Sequence, residues 1–238
     1  MATDKAWQKH ISTIKALAGR ITDGLPKDHL HGHRLSRIAG ELGASAEALA
    51  GMYATPDPTV TVAAHEKRVI QAASKLKDQA GRNFDEMQNA YRTALADVDN
   101  RIDAKVNLKA DPAAAAEVRA AFRALPKGEQ AGALQRLALA NDGPTLAAIV
   151  DASPFLTGVD PELAGRFKDL AVTTHARPEA EERTAIQAAF DTALGVYDAA
   201  KATAALFSDP ARLAGIERGE QAAADAERTF NASVNSRS

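Results

Sequence analysis

The sequence predicts an all-α protein with long amphipathic helices and a compact C-terminal helical bundle. Alanine, the residue with the highest helix propensity, accounts for 54 of the 238 residues. Apolar residues recur at intervals of three and four over most of the chain, which is the period of an amphipathic helix. Asp-Pro pairs at 111–112, 160–161 and 209–210 are each expected to supply an N-cap followed by proline at the first helical position.

The first predicted segment, residues 1–58, contains one regular helix and a helical corner. The helix is expected over about residues 4–22, followed by a loop through the histidine-rich stretch KDHLHGH. Two short helices are then expected to meet at Gly43 in a tight corner. Pro56 and Pro58 end the segment, because proline cannot continue a regular helix.

The second predicted segment, residues 59–110, is a single long helix with a pattern close to a coiled-coil heptad. The helical period continues from about residue 60 to 108, so the helix would be about 70 Å long at 1.5 Å per residue. Gly81 could divide it. Such a helix exposes more apolar surface than one short neighbour covers. We therefore expect its large apolar side chains to contact a partner, and the candidates are Val69, Leu76, Phe84, Met87 and Tyr91.

The third predicted segment, residues 111–238, is the C-terminal helical bundle. Proline at or near the first helical position and glycine or polar residues at the ends divide it into several helices. The expected helices cover 112–124, 127–140, 144–151, 161–175, 178–207 and 210–232.

The stretch from Leu35 to Met52 has the spacing of a DNA-binding helix-turn-helix. Its apolar residues and Gly43 occupy the positions at which that motif buries side chains and turns. The second helix, however, lacks the Arg, Lys, Asn or Gln side chains that read base edges. A structural corner is therefore the favoured interpretation, and a DNA-binding regulator is the alternative. In that alternative, the DNA-contact candidates are Arg34, Arg37 and Ser45.

The sequence contains no recognisable catalytic constellation. It has no cysteine, no phosphate-binding glycine loop and no zinc-protease motif. His29, His31 and His33 alternate, but we expect them in a solvated loop rather than around a metal ion. Asp99 and Asp103 share a helix face with basic residues and are expected to form ion pairs in solvent. We therefore expect a non-enzymatic protein without catalytic residues, metal or cofactor, although an enzyme with a dispersed site stays open.

The stretch SPFLTGV is the one apolar loop between predicted helices. Apolar loops are buried within their own domain or against another protein. Phe155 and Leu156 are therefore further candidates for contact with a partner.

The stretch from Arg123 to Val172 resembles uncharacterised small helical proteins encoded among the virion genes of tailed bacteriophages and prophages. The resemblance rests on the Asn-Asp-Gly-Pro break, the PFLTG loop and the DPELAGRFKDL helix, and it covers about a fifth of the chain. It implies a virion or assembly component and no catalytic residues.

The expected function is therefore a structural or assembly role, carried out through contacts between helices of different subunits. The partners would be other protein subunits, as a homo-oligomer or a multi-copy assembly, and a sequence-specific nucleic-acid ligand is not expected. The expected location is the virion if a phage encodes the protein, and the cytoplasm otherwise. No apolar run approaches the length that spans a membrane, and the N-terminus lacks the apolar block of a signal peptide.

Overall fold

The computed structural model describes residues 2–235 and confirms the all-α class. Over these residues the chain forms ten α-helices and no β-strand. The helices are α1 (Ala2–Ala18), α2 (Leu30–Ala54), α3 (Val62–Val106), α4 (Ala115–Ala124), α5 (Lys127–Leu139), α6 (Gly143–Val150), α7 (Pro154–Thr157), α8 (Pro161–His175), α9 (Arg177–Leu206) and α10 (Pro210–Asn235). No helix in this range is both long and apolar enough to cross a membrane.

The chain divides into two compact units. Unit 1 comprises Met1–Ala90 together with Ala188–Ser238, and unit 2 comprises Tyr91–Gln187. This division differs from the predicted segments 1–58, 59–110 and 111–238, because the unit boundaries fall inside the long helices α3 and α9. The spacing of apolar residues along a helix does not change where the helix leaves one core and enters another. The sequence pattern therefore does not mark such a boundary.

The core of unit 1 is formed by one apolar face from each of α1, α2, α3 and α9. Ile14, Ile38, Leu42, Met87 and Val196 are among its fully buried side chains. Burial of a side chain of this size contributes roughly 1.5–3 kcal/mol. The alanines between them keep the helices close together, as expected from the composition.

The predicted corner at Gly43 is wrong, because α2 is one continuous helix of 25 residues. Gly43 lies in its middle and is buried, and a Cβ atom there would lie 2.8 Å from Cγ2 of Ile14 in α1. The glycine therefore permits close approach of two helices and makes no turn. The predicted histidine loop is also partly wrong, since α2 begins at Leu30 and His29 caps it, accepting a hydrogen bond from the Gly32 amide at 3.0 Å.

The long helix is confirmed as α3, from Val62 to Val106, without a break at Gly81. Its predicted apolar stripe is correct over most of its length, although Val62 at the beginning is exposed.

Unit 2 packs α4, α5, α6 and α8 around a separate core that includes Phe122, Leu134 and Leu146. The six helices predicted after residue 111 match α4, α5, α6, α8, α9 and α10, with every end within three residues. Within this unit, ion pairs join the last turns of α3 to the start of α9. They are Asp99 with Arg183, Arg101 with Glu182, and Lys105 with Glu179.

Candidate protein-contact surface

The apolar stretch predicted as a loop forms a short helix, α7, with a cap at each end. The Ser153 hydroxyl accepts a hydrogen bond from the Phe155 amide at 3.3 Å, and Pro154 occupies the first helical position. Gly158 ends the helix with a φ of 71°, and its amide donates to the Pro154 carbonyl at 2.7 Å. A side chain at this φ would be strained, so glycine is favoured there. The two caps stabilise the backbone conformation of α7.

The caps hold Phe155 in solvent. Thr157 is buried and anchors α7 to unit 2, and Val159 is buried just after it. By contrast, 93% of Phe155 and 41% of Leu156 are exposed. The chain itself therefore does not cover these side chains, which was one of the two situations expected from the sequence. We call Phe155 and Leu156 the α7 tip.

Two carboxylates close to α7 in the sequence are already engaged within the chain. Lys168 forms an ion pair with Asp151, two residues before the N-cap of α7. Asp160 accepts a hydrogen bond from the Glu162 amide at 2.8 Å and so caps α8. An apolar centre with polar neighbours is the usual arrangement of a protein-contact surface.

Unit 2 also contains an open apolar groove of about 470 Å³. It lies on α4, α5 and α6, and the larger side chains of its apolar lining are Val118, Phe122, Leu125, Leu137 and Ile149. Its polar lining consists of Arg136, Asp142 and Thr145. The Asp142 carboxylate is engaged by its own helix, because it accepts a hydrogen bond from the Thr145 amide and caps α6. Most of the lining is therefore suited to an apolar occupant. No pattern in the sequence predicts this groove, because its residues come from three separate helices.

Three of the other predicted contact residues are buried, and two are half-buried. Val69, Leu76 and Met87 lie in the core of unit 1, so their prediction as partner contacts is wrong for the folded chain. Phe84 is half-buried and packs on the Tyr197 ring with centroids 4.9 Å apart. Its contact with a partner stays a prediction.

Tyr91, the remaining candidate on α3, is half-buried in unit 2. Its hydroxyl donates a hydrogen bond to the Gln187 side chain. This contact within the chain engages the polar end of Tyr91.

The three DNA-contact candidates lie on one continuous helix, so the helix-turn-helix geometry that they require is not formed. The Nε atom of Arg34 lies 3.2 Å from a Glu86 carboxylate oxygen. Arg37 pairs with Glu41 at 2.6 Å and with Glu86 at 2.8 Å, and these carboxylates raise the pKa of Arg37, with the Glu41 hydrogen bond as the largest cause. Ser45 is half-buried. Both arginines are thus paired with carboxylates of the same unit.

The histidines are distributed along the start of α2. His29 caps the helix, its ring lies 5.9 Å from that of His31, and His33 Nε2 lies 2.5 Å from the Lys27 carbonyl oxygen. Over residues 2–235, no three His, Asp or Glu side chains are grouped so that they could hold a metal ion.

These features define a helical protein with an exposed apolar tip on a capped helix and a separate apolar groove. Comparison of the chain with protein-family models, with curated proteins and with solved structures finds no match.

Proposed function

We propose that the protein is a non-enzymatic structural subunit of a multi-copy protein assembly, and that it contacts other copies through the α7 tip. The observation that carries this proposal is the 93% exposure of Phe155 on a helix with a cap at both ends. Leaving an aromatic side chain in water has no benefit for folding, whereas aromatic side chains are enriched at the buried centres of protein interfaces.

The groove on α4, α5 and α6 is the proposed receiving site on the next copy. Its volume of about 470 Å³ and apolar lining suit the two side chains of the α7 tip. Because the tip and the groove are different surfaces, the contact is head-to-tail, and repetition of a head-to-tail contact produces rings or filaments. The resemblance of residues 123–172 to virion-gene proteins supports the further proposal that this assembly is part of a phage virion.

The magnitude of the contact indicates why many copies are needed. Burying Phe155 and the exposed 41% of Leu156 contributes about 2–4 kcal/mol, while association costs about 4–15 kcal/mol in lost freedom. A single contact would thus be weak, with a dissociation constant near or above about 1 mM. Such a contact becomes stable when several copies are linked, since later contacts form within one assembly.

Disulfide trapping tests this contact directly, because the chain has no cysteine of its own. Leu156→Cys on one copy and Ala121→Cys on another are mixed under mild oxidation. The matched control is Ala48→Cys, on the exposed face of α2. We expect Leu156→Cys to form a disulfide with Ala121→Cys faster than with this control. Adding Phe155→Ser to the first copy is expected to reduce the yield to the control level. Equal yields for the groove and control positions would contradict the proposal.

A further inference from the structure

The C-terminal helix α10 leaves the core after its second turn. Leu213 is half-buried and Ile216 is buried, but every side chain of residues 217–234 is exposed. We call residues 217–234 the α10 overhang. It is about 27 Å long at 1.5 Å per residue. Helices in proteins obtain most of their stability from packing of an apolar face, and the overhang has no such packing within its own chain over the described residues.

The overhang carries a narrow apolar stripe with the period of a coiled coil. Ile216, Ala223 and Phe230 are seven residues apart, with Gly219 and Ala226 between them. Phe230 is 66% exposed, although it lies on the same stripe as buried Ile216. Small residues allow the backbone of another helix to approach closely, and a stripe of this width fits one neighbouring helix.

Acidic side chains border this stripe on one side, where Glu220 and Glu227 are seven residues apart. Glu220 forms an ion pair with Lys67 of α3, which also lies in unit 1. Glu227 occupies the equivalent position one heptad later and has no ion-pair partner among the residues that the structure describes. At the base of the overhang, a lysine of α3 thus pairs with the acidic border next to the buried Ile216. We expect a partner of the rest of the overhang to present a basic side chain to Glu227 in the same way.

Charge also indicates which of three possible partners fits the overhang: a second copy of the chain, a membrane surface or a helix of another protein. An antiparallel second copy would place the two acidic borders against each other, because positions of the same kind meet in that arrangement, and like charges on facing positions are destabilising. A parallel second copy would place each acidic border against Ala222 and Thr229, which offer no positive charge to Glu227. Residues 217–235 contain four acidic and two basic side chains, so an anionic membrane surface would repel them. A helix with apolar heptads and a basic border satisfies both the stripe and its acidic side.

We propose that the α10 overhang binds an amphipathic helix of another protein, whose apolar stripe is flanked by lysine or arginine. This proposal is independent of the α7 tip and its groove, which belong to unit 2. It adds a second partner of different chemistry to the assembly function.

The test uses the full chain and two synthetic helical peptides of three heptads. Both carry Leu at the core positions, one with Lys and the other with Glu at all flanking positions, so that each peptide repels itself. We expect the Lys peptide to bind at least about tenfold more tightly than the Glu peptide in fluorescence anisotropy, a preference that weakens at 1 M salt. Equal binding of both peptides, or no binding of the Lys peptide at millimolar concentration, would overturn the proposal.

Two variants locate the binding site on the overhang. Phe230→Ala is expected to weaken binding of the Lys peptide by about tenfold or more, because it removes the largest apolar contact. Glu227→Lys is expected to reverse the preference in favour of the Glu peptide. Arg228→Ala, which lies away from the stripe, is the matched control and should leave binding of the Lys peptide unchanged or slightly stronger.

Circular dichroism and sedimentation complete the test. Each variant is expected to keep the unfolding transition of the native chain, since no overhang side chain belongs to the core, so that a loss of binding is not a loss of folding. If Phe230→Ala instead abolishes dimers of the chain, the occupant is a second copy. If it abolishes adsorption to vesicles containing phosphatidylserine, the occupant is a membrane. Either result overturns the proposal.

Discussion

Replacement of Gly143 by alanine is expected to destabilise the protein strongly. Gly143 is the first residue of α6 and packs against the end of α3 within unit 2. A Cβ atom there would lie 2.0 Å from the Val106 carbonyl oxygen and 2.5 Å from that of Asn107. Both obstacles are backbone atoms, and Asn107 is already held at a φ of 47°, so no side chain can move aside. The backbones would have to separate by more than 1 Å to restore about 3.4 Å, a contact typical of van der Waals packing.

The cost can be estimated from overpacking in other cores. Inserting a methylene into a packed interior typically costs about 1–3 kcal/mol, and this site lies at or above the upper end because backbone atoms must shift. The matched control is Gly165→Ala in α8, where a Cβ atom meets nothing within 4 Å. The control should be neutral or up to about 1 kcal/mol more stable, because alanine favours a helix.

Urea unfolding followed by far-ultraviolet circular dichroism measures both variants. We expect a difference of at least about 2 kcal/mol between Gly143→Ala and Gly165→Ala. If the two variants unfold within about 0.5 kcal/mol of each other, the close packing of α6 on the end of α3 is refuted. Loss of a single cooperative transition in Gly143→Ala would indicate that unit 2 unfolds first, and the lone tryptophan in unit 1 provides a separate fluorescence signal for that case.

Three further substitutions test other parts of the packing. Gly43→Ala should destabilise the chain by about 1–2 kcal/mol in urea unfolding, because its Cβ would press on a side chain of α1 that can partly adjust. Phe84→Asp should abolish cooperative thermal unfolding, whereas Asp103→Ala on the exposed face should change the melting temperature little. The Lys105 ammonium group, chiefly by its hydrogen bond, lowers the pKa of Glu179. The extra stability of the native chain over Glu179→Gln should therefore be present at pH 7 and be lost as the pH falls below the ordinary glutamate value of about 4.3. Equal urea midpoints of these two proteins at pH 7 would contradict that assignment.

The helix boundaries could be predicted because local signals agree with each other. The start of α8, for example, has Asp160 as its cap and proline next to it, and the structure shows the Asp160 carboxylate accepting from the second helical residue. The period of α3 likewise predicted a helix of about the observed length. The Asp-Pro pair at 111–112 is an exception, because α4 begins later, at Ala115, with Ala114 as its N-cap. The predicted cap at Asp111 is therefore wrong.

Gly43 shows why local signals can also mislead. A glycine between two apolar helical stretches is compatible with a turn, and it is equally compatible with close contact between two helices. The residues next to it in the sequence do not distinguish these two possibilities. The neighbour that decides is Ile14, which lies far away in the sequence. The predicted domain boundaries differ from the observed units for a related reason, since α3 contributes to two cores without any change in its period.

The candidate contact surface was only partly predictable. An apolar side chain on a helical stripe belongs to the core if its own chain covers it, and is available to a partner if it does not. Which of these holds depends on helices that lie far away in the sequence. Val69 and Leu76 were therefore predicted as partner contacts but are buried by their own chain, whereas Phe155 is exposed. Phe230 belongs to a predicted helix, but the sequence pattern alone could not show that its stripe is uncovered.

The two proposed contacts make different demands on the chain and can therefore be separated. Phe155 is exposed on a short helix with a cap at each end, so its removal should change contact with other copies without altering the fold. Phe230 lies on the overhang, the part of α10 without packing of its own, so binding there should increase helical stability as well as form a complex. Added Lys peptide is thus expected to protect overhang amides from hydrogen exchange and to leave α7 amides unaffected. If Phe155→Ser weakened peptide binding as much as Phe230→Ala, the two surfaces would be parts of one site, and the assignment of separate partners would be wrong.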